Sequence, residues 1–240
     1  MPSREPAIVI PDIRVVSLDL DDTLWETAPV IRGAEEELFR WLARRYPRMV
    51  RGHTAESFHR QAKAFARAHP GLRHDRSELR RRFLRRLAGE AAYADDFVEE
   101  AFRVFWEARN RLPVFAEVVP ALEQLRRRYR LLAITNGNAD IGRAGLGHLF
   151  EGCILSEAAG VAKPDPAIFR QALDQADIEA HQLVHVGDHP EHDVAGARAA
   201  GAWAIWVNPA GGPWPECHEP RPHAVIRGVG ELPALLGCVG

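Results

Sequence analysis

The chain has 240 residues, 46% hydrophobic and 27% charged, with a formal net charge of −2 and three cysteines. That length suits one core carrying a sizeable insertion, and no apolar run approaches the ~20 residues of a membrane span. Residues 1–12 lack the charged start, long apolar stretch and cleavage site of a signal peptide. Three scattered cysteines (Cys153, Cys217, Cys238) argue against a disulfide framework or zinc site and fit a reducing cytoplasm. Collagen, coiled coil, disordered tail and membrane protein are thereby excluded.

In chain order, a short apolar piece at residues 8–10 precedes a β-rich run, residues 14–21 (RVVSLDLD), which stops at a cluster of acids. Residues 27–112 show no strand and several helical patterns, such as Phe97, Ala101, Phe102 and Phe105 on one stripe, punctuated by Pro47, His69-Pro70-Gly71 and Pro113. Residues 117–129 form an amphipathic helix with Val118, Leu122, Leu125 and Tyr129 on one face. Strands are then expected at 131–135, 153–156, 183–188, 202–207 and 223–226, with helices between them, one of them after Thr135 and another over 194–200. The Pro/Gly-rich stretch 208–222 reads as a surface loop. Alternating buried strands and amphipathic helices predict an α/β fold, a doubly wound parallel sheet covered on both sides. Residues 1–26 and 113–240 form this core, and 27–112 form an all-helical insert.

Charge separates the two parts. The insert carries 19 basic residues against 12 acidic ones, the remainder 12 against 21, and residues 72–88 alone hold seven arginines. Two readings follow for this run: solvated helix faces, or a basic lid that draws anionic substrates toward an acidic site. The overall negative charge and the absence of an aromatic-basic platform speak against nucleic acid. Of the 31 basic residues only Lys63 and Lys163 are lysines.

Ligands of open α/β sheets bind beyond the carboxyl ends of the strands. The polar residues there are Asp19, Asp21 and Thr23, then Thr135 and Asn136, Lys163, and finally Asp188 with Asp193. On a strand, Asp19 and Asp21 leave from one face, and Asp22 from the other. Asp188 from a neighbouring strand makes three crowded carboxylates, which call for a divalent cation or a proton. An all-oxygen ligand set selects a hard ion such as Mg²⁺. The histidines at 181, 185, 189 and 192 straddle a strand, a turn and a helix start, a poor frame for a metal site. Thr135 supplies a hydroxyl beside free backbone N–H groups, a phosphate cradle. Lys163 is held extended by Pro164, ahead of Asp165 as N-cap and Pro166 as first helical residue, which aims a compact ammonium at a phosphoryl group. Gly187 brings the backbone close to metal and phosphate. Asp193 either orients the metal shell or caps the following helix.

In this order, Asp19-Leu-Asp21-Asp-Thr23, Thr135-Asn136-Gly137, Lys163-Pro164 and Gly187-Asp188 with Asp193 resemble the four motifs of the haloacid dehalogenase-like hydrolase superfamily. The resemblance covers nearly the whole chain. It implies a Rossmann-like core, and it makes the helical insert similar to the superfamily's small C1 cap. It further implies Asp19 as the nucleophile that forms an aspartyl-phosphate and Asp21 as the general acid/base. Mg²⁺ would then be held by the Asp19 carboxylate, the Asp21 backbone carbonyl and Asp188, with Thr135, Asn136 and Lys163 around the phosphate. Thr23 would buttress the loop, with Gly187 and Asp193 in support.

The partner so implied is a small phosphomonoester, with neither nucleic acid nor membrane involved; the sequence sets no oligomeric state. The superfamily's dehalogenases lack the second acid, which here is Asp21. A phosphonatase needs a cap Schiff-base lysine, and nothing around Lys63 suggests one. A phospho-receiver domain is about half this length and has no cap; a degenerate binding module would not keep every catalytic position filled. The core motifs look most like bacterial phosphatases of flavin mononucleotide and of the phosphorylated ribitylamino-uracil precursor, with phosphoglycolate or a nucleotide monophosphate as alternatives. Trp25, Trp41, Phe102 and Trp106 are candidates to stack on a flavin, or simply core. Arg80, Arg81 and Arg82 are the candidates for steering.

Overall fold

The computed structural model describes residues 12–238, so the apolar piece at 8–10 lies outside the described residues. Six strands, β1 (Val15–Leu18), β2 (Arg130–Thr135), β3 (Gly152–Leu155), β4 (Leu183–Gly187), β5 (Trp203–Val207) and β6 (Ala224–Ile226), form one sheet in the order β3-β2-β1-β4-β5-β6. Every pairing is parallel. Alternate side chains of each strand supply two separate cores, because successive residues point to opposite faces. Val16, Leu18, Leu131, Ala133, Val184 and Val186 pack with Val118, Leu122 and Leu125 of α5 (Val118–Leu125). Val15, Leu132, Ile134 and Leu183 pack with Ile168, Phe169 and Ala172 of α7 (Pro166–Ala176). The short helices α6 (Ser156–Ala159), α8 (Gly196–Ala199) and α9 (Leu232–Leu235) complete the core.

Between β1 and β2 lie α1 (Thr27–Arg45), α2 (Ala55–Ala68), α3 (Arg76–Glu90) and α4 (Val98–Arg109), with an apolar core of their own. On α1, Ala34, Leu38 and Leu42 recur every four residues and face Ala101, Phe102 and Phe105 of α4. Thr54 closes a capping box with Ser57 at the start of α2, and Asp75 accepts the Glu78 N–H at the start of α3. Polar ties fasten this helical insertion over the carboxyl edge of the sheet. Ser77 donates to Glu157 (2.7 Å), Ser156 to the His74 carbonyl (2.7 Å), and the Trp106 indole to the Asn138 carbonyl (3.3 Å). Among the described residues no helix is long and apolar enough to cross a membrane.

Three local expectations fail for identifiable reasons. The segment after Thr135 forms turns rather than a helix: Asp140 accepts the N–H groups of Gly142 and Arg143, and Gly145 takes a φ of 77°. The helix expected over 194–200 starts earlier, as one wide turn (Pro190–Ala195) running into α8. The helix expected over 117–129 ends at Leu125. The loop at 208–222 is mostly exposed, anchored by Trp214 packed edge-on against Trp206.

Candidate active site

β1 ends at Leu18, so Asp19 and Asp21 do not share a strand face. Asp19 is buried and extends the ladder, its N–H donating to the Val186 carbonyl (2.8 Å). The chain then folds into a tight loop closed by Leu24 N–H to Leu20 O (2.8 Å) and Asp22 N–H to Trp25 O (2.9 Å). Asp22, expected on the opposite face of a strand, instead sits in this turn with a φ of 63°, accepts the Thr27 N–H (2.8 Å) and borders the same cavity as Asp19. Thr23 is buried beneath the loop, its hydroxyl without a partner among the described residues.

Lys163 is the hub. Its ammonium has three N–H donors, and they go to Asp19 Oδ1 (2.5 Å), Asp193 Oδ1 (2.6 Å) and the Ile134 carbonyl (2.8 Å). Burial works against the ammonium's charge, but Asp19 and Asp193 outweigh it and hold the group above the usual lysine range. The Asn136 amide clamps the Lys163 backbone from both sides, donating to its carbonyl (2.9 Å) and accepting its N–H (2.8 Å). As expected, Asp165 caps α7 and Pro166 opens it. Thr135 accepts the Gly137 N–H (2.9 Å).

Asp193 serves as the lysine's anchor. Its Oδ2 accepts the His189 N–H (2.9 Å), while its Oδ1 also meets His185 Nε2 (3.2 Å), whose Nδ1 lies 2.9 Å from Ser17 Oγ. Burial alone would raise its pKa, but Lys163 and His185 hold it far below the usual carboxylate range. This network also accounts for Gly187. A Cβ there would stand 2.3 Å from Asp193 Cγ and 2.4 Å from its Oδ2, so the missing side chain makes room for Asp193.

Carboxylate oxygens of Asp19, Asp188 and Asp193 lie within 4.8 Å of one another. Both Asp193 oxygens are engaged by protein donors, which leaves Asp19 and Asp188 with oxygens to offer. Burial pushes Asp188 up to about 7, with Asp193 and Asp22 adding repulsion, and burial likewise raises Asp19, with Lys163 opposing. An all-oxygen donor set short of positive charge fits a hard divalent cation. The Trp206 indole fixes the approach by donating to the Asp188 carbonyl (2.7 Å).

Asp21 is held by a residue with no obvious sequence signal. Arg109, the last residue of α4 and only 1% exposed, donates from Nη2 to Asp21 Oδ1 (2.7 Å) and Oδ2 (2.6 Å), and the Trp25 indole adds a third bond (2.8 Å). Gly137 leaves room for this pair, since a Cβ there would lie 2.3 Å from Asp21 Oδ2. Sequence reasoning also missed Ser17, His185 and Trp206.

Asp19, Asp21, Thr135, Lys163, Asp188 and Asp193 open onto a cavity of about 400 Å³ roofed by the helical insertion. Its apolar walls include Phe65, Phe83 and Phe105; Trp25, Trp41, Phe102 and Trp106 are not among its lining residues. Trp25 is core, and Trp41 packs on Tyr46 and Phe97. Of Arg80, Arg81 and Arg82, only Arg80 lines the cavity.

A family model for haloacid dehalogenase-like hydrolases matches residues 13–201. The chain is 31% identical over 232 residues to the 5-amino-6-(5-phospho-D-ribitylamino)uracil phosphatase YigB of Escherichia coli (93% of this chain, 96% of the relative). It is 34% identical over 221 residues to a phosphoserine phosphatase of Thermus thermophilus (82% and 89%). Among solved structures, one described as a 2-haloacid dehalogenase from Pseudomonas syringae superposes with a TM-score of 0.85 at 42% identity, covering 94% of this chain and 98% of that one. The protein is therefore an enzyme and belongs to the haloacid dehalogenase-like hydrolases.

Proposed function

We propose that the protein is a Mg²⁺-dependent phosphatase of small phosphomonoesters, with residues 27–112 acting as a cap over the core and Asp19 as the nucleophile. The observation that carries this reading is Asp21, a second carboxylate at the nucleophile's cavity, held by Arg109 and Trp25. An alkoxide leaving group needs a proton and a halide does not, so a positioned acid has a task only in ester hydrolysis.

An oxygen of Asp19 attacks phosphorus and the ester P–O bond breaks, with Asp21 delivering the proton to the departing oxygen. Asp21 then takes a proton from water as the water attacks phosphorus, releasing phosphate and restoring Asp19. Asp19, Asp188 and the Asp21 backbone carbonyl would hold the cation, which when bound draws negative charge from the phosphoryl oxygens. Esterification removes the charge of Asp19, which frees the Lys163 N–H now bonded to it to turn to a phosphoryl oxygen. Thr135, with its neighbouring N–H groups, lies on the same cavity wall. Asn136 acts on this phosphate site through the Lys163 backbone.

Flavin mononucleotide and the phosphorylated ribitylamino-uracil are the first substrates to test, given the likeness to YigB; phosphoglycolate and a nucleoside monophosphate come next. Three free cysteines suit the reducing cytoplasm where these compounds occur. The 42%-identical structure described as a dehalogenase favours a second reading, carbon–halogen cleavage on the same Asp19. Phosphate release from these four esters, with Mg²⁺ and with EDTA, is measured beside chloride release from 2-chloropropionate. Mg²⁺-dependent phosphate release is expected; chloride release with no phosphate release would replace the proposal with the second reading.

A further inference from the structure

The helical wall of the cavity carries two exposed cations that are held in no ion pair among the described residues, although Asp21 attracts one of them, Arg76. Lys63 of α2 and Arg76 of α3 line it, and among the described residues neither has a carboxylate within ion-pair distance. Glu35, the wall's own acid, is already engaged. Its Oε1 accepts Arg80 Nη2 (2.6 Å) and its Oε2 meets His59. On the sheet side, Asp21 is paired with Arg109, Asp193 with Lys163, and Asp22 takes the Thr27 N–H, while Asp19 and Asp188 are the cation's.

A third cation stands beside them. Arg80 also lines the cavity, and it is fixed in place by Glu35 and by stacking over the Phe105 ring at 4.1 Å, so its guanidinium is held at one point on the wall.

We infer that the preferred substrates carry a second anionic group on the part that leaves with the ester oxygen, met by Lys63 and Arg76 beside the fixed Arg80 guanidinium on the helical wall. This rests on the phosphatase reading and narrows it. A neutral flavin or sugar would leave both outer cations unanswered, whereas a carboxylate or second phosphate pairs with them through charge-assisted hydrogen bonds. The cavity's volume of about 400 Å³ suits such a compact dianionic ester.

The test compares kcat/KM within matched pairs: glycerol 3-phosphate with 3-phosphoglycerate, and fructose 6-phosphate with fructose 1,6-bisphosphate. p-Nitrophenyl phosphate serves as an ester without a second anion. Wild type is compared with Lys63→Gln, Arg76→Gln and the double variant, all with Mg²⁺ in low salt, and melting curves check the fold. The wild type is expected to favour the anionic member of at least one pair by about 10-fold or more, the value of one charged hydrogen bond. The double variant should bring that ratio close to one. The pair that responds tells carboxylate from phosphate. Equal rates within both pairs, or a loss in the variants shared equally by p-nitrophenyl phosphate, would overturn the inference and leave the phosphatase reading standing. No Mg²⁺-dependent release from any ester would overturn both.

Discussion

The two walls of the cavity are built on opposite terms. On the sheet side the polar groups around Lys163 satisfy one another: all three Lys163 donors have acceptors, both Asp193 oxygens are taken, and His185 bridges Ser17 to Asp193. On the helical side, Lys63 and Arg76 stand unpaired among the described residues, and Arg80 keeps one buried donor free. A closed network holds catalytic groups in one geometry whether or not substrate is present, which is what chemistry requires. An incomplete one leaves its bonding capacity for whatever ligand arrives. On the proposed reading, the difference assigns reaction type to the sheet and choice of substrate to the helices.

The largest expected effects break the closed side. Asp19→Asn keeps the shape and removes the proposed nucleophile, so turnover should fall on the order of 10⁴-fold or more while the melting temperature stays near that of wild type; phosphate-release assays and thermal denaturation measure the two. Lys163→Met is harsher for the fold, because it strands the buried carboxylates of Asp19 and Asp193. Removing one partner of a buried pair costs about 3–5 kcal/mol, so this variant should be both inactive and markedly less stable in urea titration. An Asp19→Asn/Lys163→Met double variant should recover part of that stability, since one of the stranded charges is gone; additive losses would mean the two residues are not one network.

Asp19 was legible in the sequence because it stands at the end of a strand, and Lys163, beyond β3 and α6, because it precedes the Pro164-Asp165-Pro166 helix start. Lys163 stood out further as one of two lysines. Arg109 had neither advantage. It looks like any of 29 arginines, and the bond that gives it meaning spans 88 residues, from the last turn of α4 to Asp21. Ser17 and His185 were hidden in the same way, their contact formed only when β1 and β4 align in register. Gly187 was expected to bring the backbone close to metal and phosphate; the neighbour the structure shows is Asp193, which reaches back through a wide turn that the helix pattern did not show. The helical insertion was visible as helices, yet which aromatics face the cavity depends on how α2, α3 and α4 rotate against one another. Phe65, Phe83 and Phe105 line it, and the tryptophans that drew attention do not.

Arg109→Gln tests the joint between the two walls, since Arg109 belongs to the helices and its partner to the sheet. Without the guanidinium, Asp21 keeps only the Trp25 indole. General acid–base catalysis contributes roughly 10²–10⁴-fold, and a misplaced acid should cost kcat the lower part of that range. The loss should be larger for alkyl phosphates than for p-nitrophenyl phosphate, whose leaving group departs without a proton. An equal loss on both would assign Arg109 to substrate binding or to folding instead.

A smaller effect is expected at Glu35, a carboxylate 3% exposed that joins three helices through Arg80 and His59. Glu35→Gln keeps an acceptor for Arg80 and removes the charge. The variant should lose about 1–3 kcal/mol on urea unfolding. Its KM should rise more than its kcat falls, because Arg80 is no longer fixed on the cavity wall.

The smallest effect is expected where the seven-arginine run is most conspicuous. Arg81 pairs with Glu99 and lies 3.9 Å over the Phe102 ring, and Arg82 pairs with Glu78 one helical turn away. Neither lines the cavity. Exposed pairs of this kind are worth about 0–1 kcal/mol and are screened by salt. The Arg81→Gln/Arg82→Gln variant should therefore keep kcat/KM within about two-fold of wild type at both low and physiological ionic strength, since its charges are answered on the helix surface. If the low-salt rate instead dropped several-fold and the difference vanished with added salt, the whole basic face would be steering substrate. The contrast between the walls would then extend beyond the residues that touch the cavity.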